Sequence, residues 1–155
     1  VGTVTFGETT YAPLPMKFEA GTQNFASAAT LKQAIEFINL LNDNELMSYN
    51  DKIRDYLLDY LMHDERIWLY GVPCGTSEEK IPLFSFTVEG IHHEDLALIL
   101  DKMGIAVRSG QMCAEPLIDR FGVTGMLRAS LAPYNTMEEA EYFVKCLNRA
   151  IDMLM

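Results

Sequence analysis

The chain reads as two helices, then strands alternating with helices, then one long closing helix. That order predicts an α/β (α+β) domain of two layers, in which helices pack on a small, mainly antiparallel sheet. Three observations carry the prediction. Apolar residues recur at helical spacing between 31 and 61. Four short β-branched or aromatic runs lie at 67–70, 82–88, 105–108 and 126–131. A capping box, Thr136 with Glu139, opens a final amphipathic run. The length of 155 residues suits one domain with a sizeable core.

Residues 1–25 show little helical periodicity. Thr3-Val-Thr-Phe6 is expected as a short strand, and Pro13 and Pro15 as an extended connection. From Ala28 onward Leu31, Ile35, Ile38 and Leu41 mark a helix, which Asn42-Asp-Asn44 breaks while capping the next. Leu46, Tyr49, Ile53, Tyr56, Leu57, Tyr60 and Leu61 form a second stripe, opposite Asp51, Lys52, Arg54, Asp55 and Asp59. Both stripes are expected to be core faces. Ile67–Tyr70 reads as a strand ended by Gly71, 73–80 as a loop, and Pro82–Val88 as a second strand. Leu96–Met103 is a helix stopped by Gly104, the preferred residue just past a helix end. Ile105–Arg108 follows as a strand, 116–121 as a short helix, and 126–131 as a strand. The last helix runs from its cap through Phe143, Val144, Leu147 and Ile151.

A net charge of −10 argues against a nucleic-acid partner, because binding phosphates requires clustered Lys and Arg. No run of eighteen apolar residues occurs and no basic-then-apolar leader is present, so no membrane partner is expected. The chain opens on Val1 rather than Met, which points to a fragment or a processed start. Three cysteines, Cys74, Cys113 and Cys146, without C-x-x-C spacing argue against a disulfide framework and against a zinc ribbon. A reducing, cytoplasmic compartment is the simplest reading. Cys146 falls in a helical pattern and reads as core, and Cys74 as a turn residue.

Cys113 lies in a loop between a strand and a helix start, five residues after Arg108 and fifteen before Arg128. A thiol acts as a nucleophile only as thiolate, and cationic neighbours and helix N-termini favour that form. Pro116 suits the first turn of a short helix whose positive end would point back at Cys113. Arg128 sits inside an apolar strand, sharing a face with Met126 and Ser130. Its planar fork suits a carboxylate, either a substrate's or an internal one from Glu115, Asp119 or Asp101. Arg108 is either a positive neighbour for Cys113 and the substrate or a solvated strand end. His92 and His93 are adjacent, so their side chains diverge, and no third metal ligand lies at suitable spacing. They are expected at the surface, as is His63, and no metal site is expected. Gly21-Thr22 with Asn24 is compatible with an anion-binding turn.

Four motifs in order carry a family resemblance: Phe18-Glu-Ala-Gly-Thr22-Gln-Asn24, Gly104-Ile-Ala-Val-Arg-Ser-Gly with Cys113-Ala-x-Pro-Leu, Arg128-Ala-Ser, and Tyr134-Asn-Thr-x-Glu-Glu139. From about Val4 to its end the chain resembles the C-terminal part of SufS-type cysteine desulfurases. These are pyridoxal-phosphate enzymes of the class-V aminotransferase family. The resemblance implies the C-terminal small domain of a fold-type I enzyme over 26–155, with 1–25 belonging to a large cofactor domain that is missing here. It implies Cys113 as the nucleophile that takes sulfur from L-cysteine, leaving alanine and a persulfide. It implies Arg128 on the substrate carboxylate, Arg108 beside the substrate, and Thr22 on the cofactor phosphate of the partner subunit in a homodimer. The persulfide sulfur then passes to an acceptor protein for iron–sulfur cluster assembly.

Two segments depart from the family pattern. Gln111-Met112 stands where many relatives have two histidines, and Gln23 where a proline is common. None of the six lysines, Lys17, Lys32, Lys52, Lys80, Lys102 and Lys145, has the Ser-x-His-Lys context of the Schiff-base lysine. The chain alone is therefore expected to be inactive and to hold no pyridoxal 5'-phosphate. Alternative readings are a selenocysteine lyase, which shares these motifs, and a stand-alone sulfur-carrier module using Cys113 without cofactor.

Overall fold

A computed structural model describes residues 1–41, 44–71 and 80–155. The break at Asn42–Asp43, the body of the 73–80 loop and Cys74 lie outside the described residues. The chain divides into two compact units, Val1–Leu41 and Asn42–Met155. The boundary expected between 25 and 26 lies within the first unit, at the start of its helix.

In the first unit, Thr3–Phe6 is not a strand. Val4 bridges Thr9, and Thr10 exchanges backbone hydrogen bonds with Gly2 and Thr3 at 2.8 Å each. Thr5 Oγ1 accepts from the Glu8 amide at 3.1 Å, so local side-chain bonds close a tight turn. The connection after Pro13 is not extended throughout either. Pro15, at φ −84°, leads a 3₁₀ turn over Met16–Phe18. Helix α1 spans Phe25–Leu41 and starts ahead of Ala28, because Asn24 Oδ1 accepts from the Ser27 amide at 3.1 Å and caps it. Its apolar stripe is not a core face: α1 buries no residue, and Leu31, Ile35 and Ile38 are 53–59% exposed. A single helix and its turns supply no second layer against which a stripe can be buried.

The second unit holds the expected sheet. Helix α2 (Asn44–His63) leads to β1 (Ile67–Tyr70), β2 (Leu83–Val88), α3 (His93–Lys102), β3 (Arg108–Gly110), α4 (Glu115–Phe121), β4 (Met126–Ser130) and α5 (Met137–Leu154). Strand order is β1-β2-β4-β3, and every pairing is antiparallel. Alternation along β2 points Phe84, Phe86 and Val88 to one face, where Leu127 and Ala129 of β4 join them. On that face lie Ile53, Leu57 and Leu61 of α2, Leu96 and Leu100 of α3, and Phe143, Leu147 and Ile151 of α5. Full burial of such a side chain contributes about 1.5–3 kcal/mol. Cys146 is buried in this core.

The α2 stripe is a core face at Ile53, Leu57 and Leu61, but Tyr56 is exposed. Arg54, read from sequence as a polar-face residue, is buried. Asp51 at 2.6 Å and Asp55 at 3.0 Å accept from its guanidinium, which is what makes burial tolerable. Arg66, just ahead of β1, reaches Asp64 and Asn148 at 2.6 Å and Asp152 at 3.1 Å, tying the strand's entry to the end of α5.

The expected strand Ile105–Arg108 is shifted to Arg108–Gly110. Gly104, at φ +79°, turns the chain at the end of α3. Its amide donates to Asp101 and that of Ile105 to Leu100, so the carbonyls of the last helical turn are satisfied. Residues 105–107 then run past Ala129–Leu131 without pairing, leaving a cavity of about 320 Å³ floored by Ala140 and Phe143. The closing helix has its capping box: Glu139 N donates to Thr136 Oγ1 at 3.3 Å, and Thr136 N to Glu139 Oε2 at 3.0 Å.

Candidate active site

The register of β3 on β4 sets Arg108 opposite Arg128, and β2 sets Ser85 on Arg128's other side. All three lie on the sheet face away from the helical core. Tyr70 continues the row on β1, and its ring meets Phe121 of α4 at 4.9 Å, which puts α4 over this face. The residues brought together are therefore Arg108, Arg128 and the loop from Gln111 to Ala114, which carries the exposed thiol of Cys113.

That loop is tightly wound. The Ala114 amide donates to Gln111 O at 3.0 Å, and both Met112 and Cys113 hold φ at +59°, a left-handed conformation costly for side chains other than glycine. Helix α4 follows at once, one residue earlier than expected, with Pro116 in its first turn and Gly122 closing it at φ +72°. The turn aims Cys113 back at β3. Arg108 Nη2 donates to Cys113 Sγ at 3.2 Å. Among the described residues it is Arg108 rather than Arg128 that touches the sulfur.

Arg128 is half-buried, and its Nε is buried without a hydrogen-bond partner. No carboxylate pairs with it among the described residues, so Glu115, Asp119 and Asp101 do not supply the internal salt bridge that composition allowed. In a chain of net charge −10, two arginines face each other across a strand pair with no acid paired to either among the described residues. Like charges directly opposite are destabilising, and a buried unpaired donor costs more. An external anion would relieve both costs, and the planar fork of an arginine has the geometry to take a carboxylate.

Thr22 lies in the first unit, in the bend after Gly21 (φ +73°) and before the Asn24 cap of α1. Its exposed hydroxyl makes no hydrogen bond among the described residues. A free hydroxyl beside a helix N-terminus suits a phosphate oxygen.

His93 was expected at the surface with His92. It is not a surface residue: it is 8% exposed, while His92 is exposed and accepts from the Glu94 amide at 3.4 Å as the cap of α3. Burial holds His93 below the ordinary histidine range, His92 adds to that, and Glu94 opposes it. Its ring sits over Gly125, where an added Cβ would overlap Nε2. The glycine that makes this notch is 32 residues away in sequence, so no local signal announced it. His63 is exposed beside Asp59 at 3.2 Å.

Residues 1–143 match the model of the family described as aminotransferase class-V. A probable cysteine desulfurase of Vibrio cholerae is 37% identical over 151 residues, covering 97% of this chain and 36% of the relative. The crystal structure of the cysteine desulfurase CsdA (S-sulfonic acid) from Escherichia coli superposes with a TM-score of 0.76 at 34% identity, over 99% of this chain and 37% of that one. The apo structure of a cysteine desulfurase from Thermococcus onnurineus NA1 gives a TM-score of 0.78 at 31% identity, over 98% and 37%. The chain thus spans little more than a third of the length of the relatives it matches. No described helix is long and apolar enough to cross a membrane.

Proposed function

The chain belongs to the class-V aminotransferase family, and from that premise we propose that it is the C-terminal portion of a cysteine desulfurase. Residues 26–155 are its small domain and residues 1–25 a segment of its larger cofactor domain. The observation that carries this reading is the contact of Arg108 Nη2 with Cys113 Sγ at 3.2 Å, beside an Arg128 that pairs with no acid among the described residues.

Arg128 takes the α-carboxylate of L-cysteine through its fork, which fixes the substrate over the open sheet face. Arg108 holds Cys113 Sγ in place, and the left-handed turn at Met112 and Cys113 keeps Sγ on that side of the loop. Sγ attacks the substrate sulfur. A sulfur–sulfur bond forms, the substrate's carbon–sulfur bond breaks, and the β-carbon takes up a proton. The products are alanine and a persulfide on Cys113, with no external oxidant or reductant required.

Pyridoxal 5'-phosphate supplies the electron sink for this bond cleavage when bound. Of this chain's residues, Thr22 would hold it, through the phosphate bound by the partner subunit of a homodimer. Cys113 then hands its sulfur to an acceptor protein for iron–sulfur cluster assembly in the cytoplasm. The test is sulfur release from L-cysteine by the longer enzyme. Cys113→Ser should abolish it. Cys146→Ser, in the core, should cost about 1–3 kcal/mol of stability yet leave turnover of the folded enzyme near normal. Equal loss from both changes would overturn the assignment.

A further inference from the structure

We propose that His93, acting through Ser109, is a positioning residue for the Arg108–Cys113 contact. The inference rests on the reading of Cys113 as nucleophile and adds a residue that this reading does not use. Strand β3 is only three residues long and lies at the sheet edge, so three cross-strand pairs hold it. Its two outer residues face the site: Arg108 toward Cys113, and Gly110 at the start of the thiol loop. Its middle residue, Ser109, points the other way, toward the helical layer.

There His93 meets it. Nδ1 of His93 and Oγ of Ser109 share a hydrogen bond at 3.4 Å. The same ring is wedged on the backbone of Gly125, where an added Cβ would stand 2.8 Å from Cδ2 and from Cε1. Gly125 directly precedes Met126, the cross-strand partner of Gly110. His92 stacks on the ring from outside at 4.3 Å. One buried imidazole at the head of α3 thus grips both strands at the place where their register is set. That register decides where the Arg108 guanidinium ends and hence how it meets Sγ. A space-filling residue would need neither the hydroxyl partner nor the polar ring edge.

The test is alkylation of Cys113 by iodoacetamide at pH 7 in this chain carrying Cys74→Ser, with Cys146 shielded in the core. Arg108→Gln sets the scale by removing the cation. Ser109→Ala and His93→Leu should each slow alkylation about threefold, the effect of one neutral hydrogen bond. His93→Asn, whose Oδ1 falls near the position of Nδ1, should restore most of the rate. In the Arg108→Gln background Ser109→Ala should add nothing further, because its effect runs through that arginine. The proposal is overturned if Ser109→Ala and His93→Leu lower the melting temperature but leave the rate unchanged, or if Ser109→Ala slows both backgrounds equally. It is overturned too if Arg108→Gln itself has no effect. Persulfide formation in the longer enzyme is a separate readout, so failure here does not carry the functional reading down with it.

Discussion

Replacing Arg128 by methionine should make this chain more stable and the enzyme worse. The side chain now holds a buried Nε without a partner and faces Arg108 across β3 and β4. An unsatisfied buried donor costs about 1–3 kcal/mol, and a directly opposed like-charge pair about 0.2–1 kcal/mol. Methionine keeps most of the apolar stem that packs on the sheet, so little is lost in return. Because Arg128 is only half-buried, water screens part of the cost, and the net relief is about 1–2 kcal/mol. For a chain of this size that raises the melting temperature by ~2–8 °C. A thermal melt followed by circular dichroism reads the shift directly. In the longer enzyme, Arg128→Lys keeps the charge but loses the fork, and kcat/KM for L-cysteine should fall about ten- to a hundredfold. A melting temperature lowered by the methionine change would mean that Arg128 serves the fold, and the reading of an arginine held ready for an external carboxylate would be wrong.

Two further outcomes follow from the scaffold. Hydrogen bonds from Arg66 hold the Asp64 carboxyl at about 2, below its usual 3.8, so this pair contributes stability above about pH 4 and loses it as pH falls toward 2. Asp64→Asn should cost about 1 kcal/mol at neutral pH and flatten the acid limb of a stability-versus-pH curve, and an unchanged limb would refute the pairing. Gly104→Ala, at φ +79° with open space around it, should cost about 1–2 kcal/mol, and Gly125→Ala clearly more because the His93 ring must move; the order is read in urea melts.

Much of the sheet layer was legible because its signals are local. Alternation in Pro82–Val88, the stop at Gly104 and the Thr136–Glu139 box each announce themselves within a few residues, and the structure holds all three. What was not legible depends on partners far along the chain. The α1 stripe has helical spacing, but spacing does not say what covers it. Arg54 looked solvated because its pairing with Asp51 and Asp55 shows only once the helix is placed on the core. For the site, the loop and the candidate residues could be read, but not their register. That Arg108 would oppose Arg128, and that no acid among the described residues would answer either, needed the strands to be paired. The left-handed turn at Met112 and Cys113 carries no glycine to signal it.

Sulfur arriving on Cys113 is tested most directly by mass spectrometry of the longer enzyme, loaded with its cofactor and mixed with L-cysteine in the absence of any acceptor or reductant. The tryptic peptide spanning Cys113 should gain the mass of one sulfur atom, with alanine formed in equal amount, and a thiol added afterwards should remove that mass. Alanine released with the extra sulfur on another cysteine, or with none on the protein, would contradict the assignment of Cys113 as the residue that takes the sulfur.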